Sequence, residues 1–258
     1  MLNIWSTVSE KQCWSGDFDS WGEAINHSTG YDSSLILEKC KAALLKVKNG
    51  EAVYERDSVI FDEIQYSWPV LSALLRVALE NKGSLSVLDF GGSLGSSYFQ
   101  NKAFLDGCAL LKWSVVEQAH FVKCGKENFQ TNELKFYETM EDCLISENVN
   151  VLLLSSVLQY LEKPYDWICQ FTKLGIKNII LDRTAFVNDK EILTVQKVPK
   201  EIYDASYPSW FLDYKNVLNE FLVEGYQLVT KFDNGFTSPV ELQNDQMGFW
   251  NGVILRKK

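Results

Sequence analysis

The chain has 258 residues, 46% apolar and 13% aromatic, with 34 acidic against 25 basic residues and a formal net charge of −9. Glycine and proline are too few for a collagen-like or disordered chain. The only basic run is the terminal Arg256-Lys257-Lys258, which argues against a nucleic-acid partner.

Residues 1–33 are rich in Trp, Gly, Ser and Asp and lack periodicity. The start has no basic stretch followed by an apolar one, so no signal peptide is predicted. No apolar run approaches the roughly 18 residues of a spanning helix, so no stable membrane insertion is expected. From Ser34 the apolar residues recur at helical spacing up to Asn49-Gly50. A second helix is predicted from Pro69 to Asn81, with Lys82-Gly83 as its exit.

Short apolar runs then alternate with helical stretches. Strands are predicted at 85–90, 112–117, 135–137, 149–154, 178–182, 227–232 and 252–256. Helices are predicted after the glycine turn at 91–95, from Glu117 to Asn128, from Ser156 to Thr172 and from Asp213 to Glu224. This pattern predicts an α/β fold with a doubly wound, mostly parallel, seven-stranded sheet. The last two strands lack a helix between them and suit an antiparallel pair at one edge. Residues 1–82 are expected to form a lid and helical cover, and 83–258 the main domain.

The six cysteines form no C-x-x-C pair, so zinc ribbons and thioredoxin-like redox sites lack support. They read as small buried hydrophobes in a reduced, cytoplasmic protein. Two histidines, His27 and His120, leave no multi-histidine metal site and few general bases. No metal is expected.

The most informative segment is Val87-Leu88-Asp89-Phe90-Gly91-Gly92-Ser93-Leu94-Gly95. A strand delivers the chain to a turn without side chains in the way of a ligand, and a helix N-terminus follows. Glu117 closes the next strand, where an acid accepts hydrogen bonds from a ribose diol. The unit points to a ligand containing a nucleoside. Dinucleotide sites usually show G-x-G-x-x-G without an acid before the first glycine.

This acidic entry and glycine rhythm resemble the class I S-adenosylmethionine (AdoMet)-dependent methyltransferases over roughly residues 83–256. The resemblance implies AdoMet as cofactor, a loop of Asp89, Gly91, Gly92, Ser93 and Gly95, and Glu117 with Gln118 at the ribose. Ser93 stands where that family commonly has glycine. Val151 to Pro164 resembles the family's fourth strand and following helix, which implies Ser155 and Ser156 near the cofactor and Gln159 and Tyr160 near the acceptor.

Trp14 to Ala24, Thr29-Gly30-Tyr31-Asp32, Tyr66 to Pro69 and Tyr207 to Phe211 resemble more specifically a methyltransferase family encoded among bacterial surface-polysaccharide genes. That resemblance implies O-methylation of a sugar or glycoconjugate precursor. Trp14 and Tyr31 would stack on the sugar, and Arg183 would bind an acidic group on it. His27 in the lid and Asp182 at the end of strand five are the candidate bases. His120 follows Glu117 and would contact the adenine side. The acceptor is a small molecule or glycan, and a homodimer is compatible with the sequence. An NAD(P)- or nucleotide-sugar-dependent enzyme is the alternative, disfavoured by the acid before the turn and by the lack of a downstream Tyr-x-x-x-Lys. A non-catalytic scaffold of the same fold is the third reading.

Overall fold

The computed structural model describes residues 13–30, 34–200, 202, 204–233, 235 and 238–258. In chain order its elements begin with β1 (Trp14–Ser15), α1 (Trp21–Asn26), α2 (Ser34–Lys48), the hairpin β2 (Tyr54–Arg56) and β3 (Val59–Phe61), and α3 (Trp68–Glu80). There follow β4 (Ser84–Phe90), α4 (Ser96–Leu105), β5 (Leu110–Val116), α5 (Ala119–Asn128), β6 (Leu134–Tyr137), α6 (Met140–Ser146) and β7 (Val151–Ser155). The chain continues with α7 (Pro164–Lys173), β8 (Asn178–Val187), β9 (Ile192–Lys197), β10 (Ser206–Asp213), α8 (Tyr214–Val223), β11 (Tyr226–Phe232), β12 (Val240–Glu241) and β13 (Met247–Lys257).

The central strands run β6-β5-β4-β7-β8, all parallel. Strand β13 pairs antiparallel with β8, and β11 pairs antiparallel with β13. The expected antiparallel C-terminal pair therefore closes one side of the sheet, with β13 inside it and β11 outermost.

Alternation along each strand feeds two cores, because successive side chains point to opposite faces. Val151 and Leu153 pack with Leu74, Leu105 and Phe121 from α3, α4 and α5. Leu152 and Leu154 pack with Cys143, Phe171 and Phe221 from α6, α7 and α8. This is why β7 reads as a continuous apolar run.

Two expectations need correction. The helix predicted over 156–172 is broken: a 3-10 turn spans Leu158–Tyr160, and α7 starts afresh at Pro164. Proline has no N–H to give to a preceding turn and pushes its neighbour out of the helical region. Lys163 accordingly sits at φ −124°, ψ 73°. Residues 192–213 had no predicted element, yet they form β9 and β10. Beyond its pairing with β7, β8 continues and pairs through Phe186 and Val187 with Leu212 and Asp213 of β10. Strand β9 adds antiparallel to β10, and β1 to β9. Pro208 within β10 masks the strand in the sequence. It is tolerated because β10 meets β8 only at Leu212 and Asp213, so its missing N–H has no ladder to serve there. Together β10, β9 and β1 extend the sheet past the carboxyl ends of the central strands.

Candidate functional site

The glycine turn lies between β4 and α4. Gly91 has φ +70°, and a Cβ there would meet Val157 Cγ2 at 2.5 Å. A Cβ on Gly92 would sit 2.5 Å from the carboxyl carbon of Asp89. Gly95 caps α4 at φ 98°, a left-handed geometry that glycine adopts without penalty. Asp89 is 1% exposed. Its Oδ2 accepts from the Trp113 indole N–H at 2.9 Å, and its Oδ1 has no hydrogen-bond partner. Burial pushes the Asp89 carboxyl up to about 7, against the Trp113 hydrogen bond.

Two cavities meet over this turn. One, of about 510 Å³, is mostly apolar and is lined by Phe90, Val116, Trp167, Trp21 and Tyr207, with Glu117 as an acid in its wall. The other, of about 120 Å³, is polar and is lined by Glu55, Arg56, Asp89, Ser93, Ser155 and Arg183. Both share Gly91, Ser156, Tyr160 and Tyr207 as lining, so they form one groove across the carboxyl ends of β4, β5, β7 and β8. Such a crevice is where open α/β sheets bind ligands.

Glu117 stands at the apolar end. Its carboxylate accepts from the Gln118 N–H at 2.7 Å. Burial raises its pKa, opposed by backbone hydrogen bonds from Gln118 and Ser93. Glu138, directly after β6, lines the same cavity.

The strands behind the polar cavity end in strained backbone. Ser93, Ser156 and Arg183 follow or interrupt β4, β7 and β8 at φ 54°, 55° and 50°. Non-glycine residues in this region are uncommon and cluster at functional sites. Gln159 is buried and donates to Ser156 Oγ and to the Arg183 carbonyl, each at 3.2 Å. Tyr160 donates to Gln196 Oε1 at 2.8 Å and stands edge-on to Tyr207. Burial pushes its phenol up to about 12.

The structure therefore gathers Asp89, Gly91, Gly92, Ser93, Glu117, Gln118, Ser155, Ser156, Tyr160 and Arg183 around one groove, with Gly95 and Gln159 behind it. Other expected residues lie elsewhere. Asp182 is buried and occupied: its oxygens accept from Ser67 Oγ at 3.3 Å and Ser155 Oγ at 2.9 Å, with Arg183 Nε at 3.4 Å. These contacts link Asp182 to Ser155 at the end of β7 and to Arg183 beside it on β8. His27 is exposed, stacked on Phe18, and lines neither cavity, because α1 packs on the sheet through Ala24 and turns His27 outward. Trp14 packs against Phe211 and Trp250 in an apolar cluster and lines neither cavity. His120 packs edge-on to Phe121, and its nearness to Glu117 opposes the rise that burial gives that acid's pKa. Tyr31 lies outside the described residues.

Sequence reasoning passed over the hairpin β2–β3, which brings Glu55, Arg56 and Asp57 into the polar cavity. Its turn is Asp57-Ser58, both with positive φ (51° and 66°). Two-residue turns of this kind are usually signalled by Asn-Gly or Asp-Gly. Here the available signal was the pair Tyr-Glu-Arg and Val-Ile-Phe flanking Asp-Ser. Gln196 and Tyr207 were missed as lining residues because β9 and β10 were missed.

Among the described residues no group of three or more His, Cys, Asp or Glu side chains could hold a metal ion. No helix among them is long and apolar enough to cross a membrane. All six cysteines are free thiols.

No family model and no curated protein matches this chain. Solved structures with a similar chain path include magnesium protoporphyrin IX methyltransferase (ChlM) from Synechocystis PCC 6803 with bound SAM. It is 12% identical, with 89% of this chain and 99% of that chain covered and a TM-score of 0.49. The N-terminal domain of EvdMO1, crystallised in the presence of SAH and D-fucose, is 11% identical, with 88% and 100% covered and a TM-score of 0.48. The glycopeptide N-methyltransferase MtfA complexed with sinefungin is 11% identical, with 73% and 86% covered and a TM-score of 0.45. The class rests on the molecule's own strand order, β6-β5-β4-β7-β8 continued antiparallel by β13 and β11, which is a Rossmann-like fold of the methyltransferase type.

Proposed function

We propose that this protein is an AdoMet-dependent methyltransferase that methylates a hydroxyl of a sugar or glycoconjugate. The observation that carries the cofactor assignment is the single groove with an acid at its apolar end, a side-chain-free turn at its middle and a polar chamber beyond. The residues fit the group. Gly91 and Gly92 let the turn pack tightly against Val157 and Asp89 at the groove, and the buried Asp89 Oδ1 lacks a hydrogen-bond partner.

In this reading Glu117 and Gln118 hold the ribose, and Phe90 and Trp167 flank the base. Asp89, Gly91, Gly92, Ser93 and Gly95 form the loop beneath the cofactor, with Ser155 and Ser156 beside it. The cofactor when bound supplies an electrophilic methyl group, and the protein supplies alignment and exclusion of water. Tyr160, which lines both chambers, and Arg183 in the polar one would orient the acceptor, with Gln159 bonded to the Arg183 carbonyl behind them. Asp182 fixes Ser155 and Arg183 from behind. Trp21 and Tyr207 give the apolar chamber aromatic faces of the kind that pack on sugar C–H surfaces. Residues 1–82 act as the cover of a catalytic domain at 83–258.

The test is titration calorimetry with S-adenosylhomocysteine. Wild-type protein binds it. Glu117→Ala loses about tenfold or more, the scale of a hydrogen bond to a charged group. No heat from wild-type protein refutes the proposal, and binding of NAD in its place establishes the dehydrogenase-like alternative. Methyl transfer from labelled AdoMet to nucleotide sugars or glycan extracts tests the acceptor class.

A further inference from the structure

The hairpin β2–β3 brings Arg56 to the sheet's own Arg183. Both side chains line the polar chamber and also a small cavity of about 10 Å³ that shares Ser97 and Ser155 with it. Arg183 is held in place along one edge of its guanidinium. Its Nε lies 3.4 Å from Asp182 Oδ2, and its Nη2 donates to Ser155 Oγ at 3.2 Å. The side chain nevertheless remains 22% exposed, at the border of the chamber. Against burial, Asp57 and Asp182 keep Arg183 charged by raising its pKa. The guanidinium of Arg56 lies over the Phe61 ring, 5.2 Å from its centroid. Burial, and next the like charge of Arg183, lower the Arg56 pKa. Two like charges held close together in a half-buried chamber repel each other, and an anion bound between them relieves that repulsion.

The acids of the chamber do not cancel this end of it. Glu55, Asp57 and Asp89 line the larger cavity and not the small one. Glu55 Oε2 accepts from the Ser58 N–H at 3.2 Å, Ser96 Oγ at the start of α4 donates to its Oε1, and Asp89 Oδ2 accepts from Trp113. Burial pushes both carboxyls up to about 7, so neither carries its full charge at neutral pH. Asp57 is exposed to solvent, where its field is screened. Among the described residues the small cavity has one acid in its lining, Asp182, and its oxygens already accept from Ser67 and Ser155.

We propose that Arg56 and Arg183 together form a receptor for an oxyanion on the acceptor, a carboxylate or a phosphoryl group, so that the acceptor is an acidic sugar and not a neutral one. This rests on the acceptor reading above and narrows it. A guanidinium presents paired N–H groups that match two oxygens of a carboxylate or phosphate. The chamber volume of about 120 Å³ holds several waters and hence such a group. One arginine comes from the cover and the other from the sheet, so the acidic group bridges the two parts of the chain.

The experiment titrates three probes into the full chain saturated with S-adenosylhomocysteine, by calorimetry: inorganic phosphate, glucuronate and neutral glucose. Phosphate, glucuronate or both are expected to bind about tenfold or more tightly than glucose, the scale of a charge-assisted contact. The tighter of the two names the source of the oxyanion. Arg56→Gln is expected to remove the preference. Arg56→Lys restores it only in part, because an ammonium keeps the charge without the fork. Thermal melting shows that both variants are folded, and the wild-type comparison needs no variant. If neither anion binds more tightly than glucose, or the preference survives in Arg56→Gln, the receptor is overturned and the cofactor reading stands. A loss of S-adenosylhomocysteine affinity in Arg56→Gln as large as the loss for the anion also overturns it, since the arginines would then serve the cofactor. If wild-type protein does not bind S-adenosylhomocysteine, the same titrations on unloaded protein separate the two readings. A preference that persists there overturns the cofactor reading alone, and its absence overturns both.

Discussion

Gly92 stands so close to Asp89 that the smallest side chain would strike the carboxylate, at 2.5 Å from its carbon. Gly92→Ala must therefore displace Asp89 or the turn. We expect at least a tenfold loss of S-adenosylhomocysteine affinity and a destabilisation of about 1–3 kcal/mol, typical of overpacking; calorimetry and denaturant unfolding measure the two. Buried acids also give the ligand-free protein a pH signature. The Asp89 and Glu55 carboxyls lie at about 7 when folded, because of burial, and near 4 when unfolded. Their protonation stabilises the fold fully below about pH 4, and that contribution is lost as pH rises through 7. Ligand-free protein should melt higher at pH 6 than at pH 8, and Glu55→Gln should reduce that difference while raising the melting temperature at pH 8. A melting curve flat from pH 6 to 8 would contradict this. Carboxyls of the opposite kind, such as Glu133 held low by Tyr98 and Lys102, weaken the fold only in more acid solution.

At the scale of elements, β13 is the strand that joins the parallel sheet to its antiparallel end. Its pairing with β8 shifts register between Asn251 and Val253, and Gly252 occupies the irregularity. A Cβ there would meet Phe232 Cζ at 2.1 Å and the Leu181 carbonyl oxygen at 2.7 Å. The second contact is with backbone, which cannot rotate away. Gly252→Val is expected to cost about 1–3 kcal/mol or more and to lower the urea midpoint, with affinity of the surviving folded protein nearly intact. Element α1 is tied to β10 by Thr29 and Ser206, whose side chains and backbones exchange hydrogen bonds of 2.8–3.1 Å. This keeps Trp21 and Ser28 at the rim of the apolar chamber.

For the whole molecule, ligand binding should appear as stability. A ligand at a hundredfold its dissociation constant adds about 2.7 kcal/mol to the folded state. For a domain of this size that raises the melting temperature by about 5–10 °C. S-adenosylhomocysteine should do so and NAD should not; the reverse result would move the protein to the dinucleotide-binding class.

The central sheet was legible in the sequence because each parallel strand is buried on both faces and therefore apolar throughout, as in Val151 to Leu154. The glycine turn was legible because its tight backbone restricts residue type locally: Gly91 has φ +70° and a Cβ on Gly92 would strike Asp89. What only the tertiary structure decided depends on contacts between distant segments. Asp57-Ser58 is a weak turn signal, and only the approach of α4 makes Glu55 a cavity residue through Ser96. Pro208 hides a strand whose neighbour is reached only after β8 outruns β7. His27 and Asp182 looked alike in the sequence, and only packing set them apart, one turned to solvent and one buried against Ser67, Ser155 and Arg183. Composition and pattern fix what a segment prefers; which side chains share a chamber depends on how the segments pack.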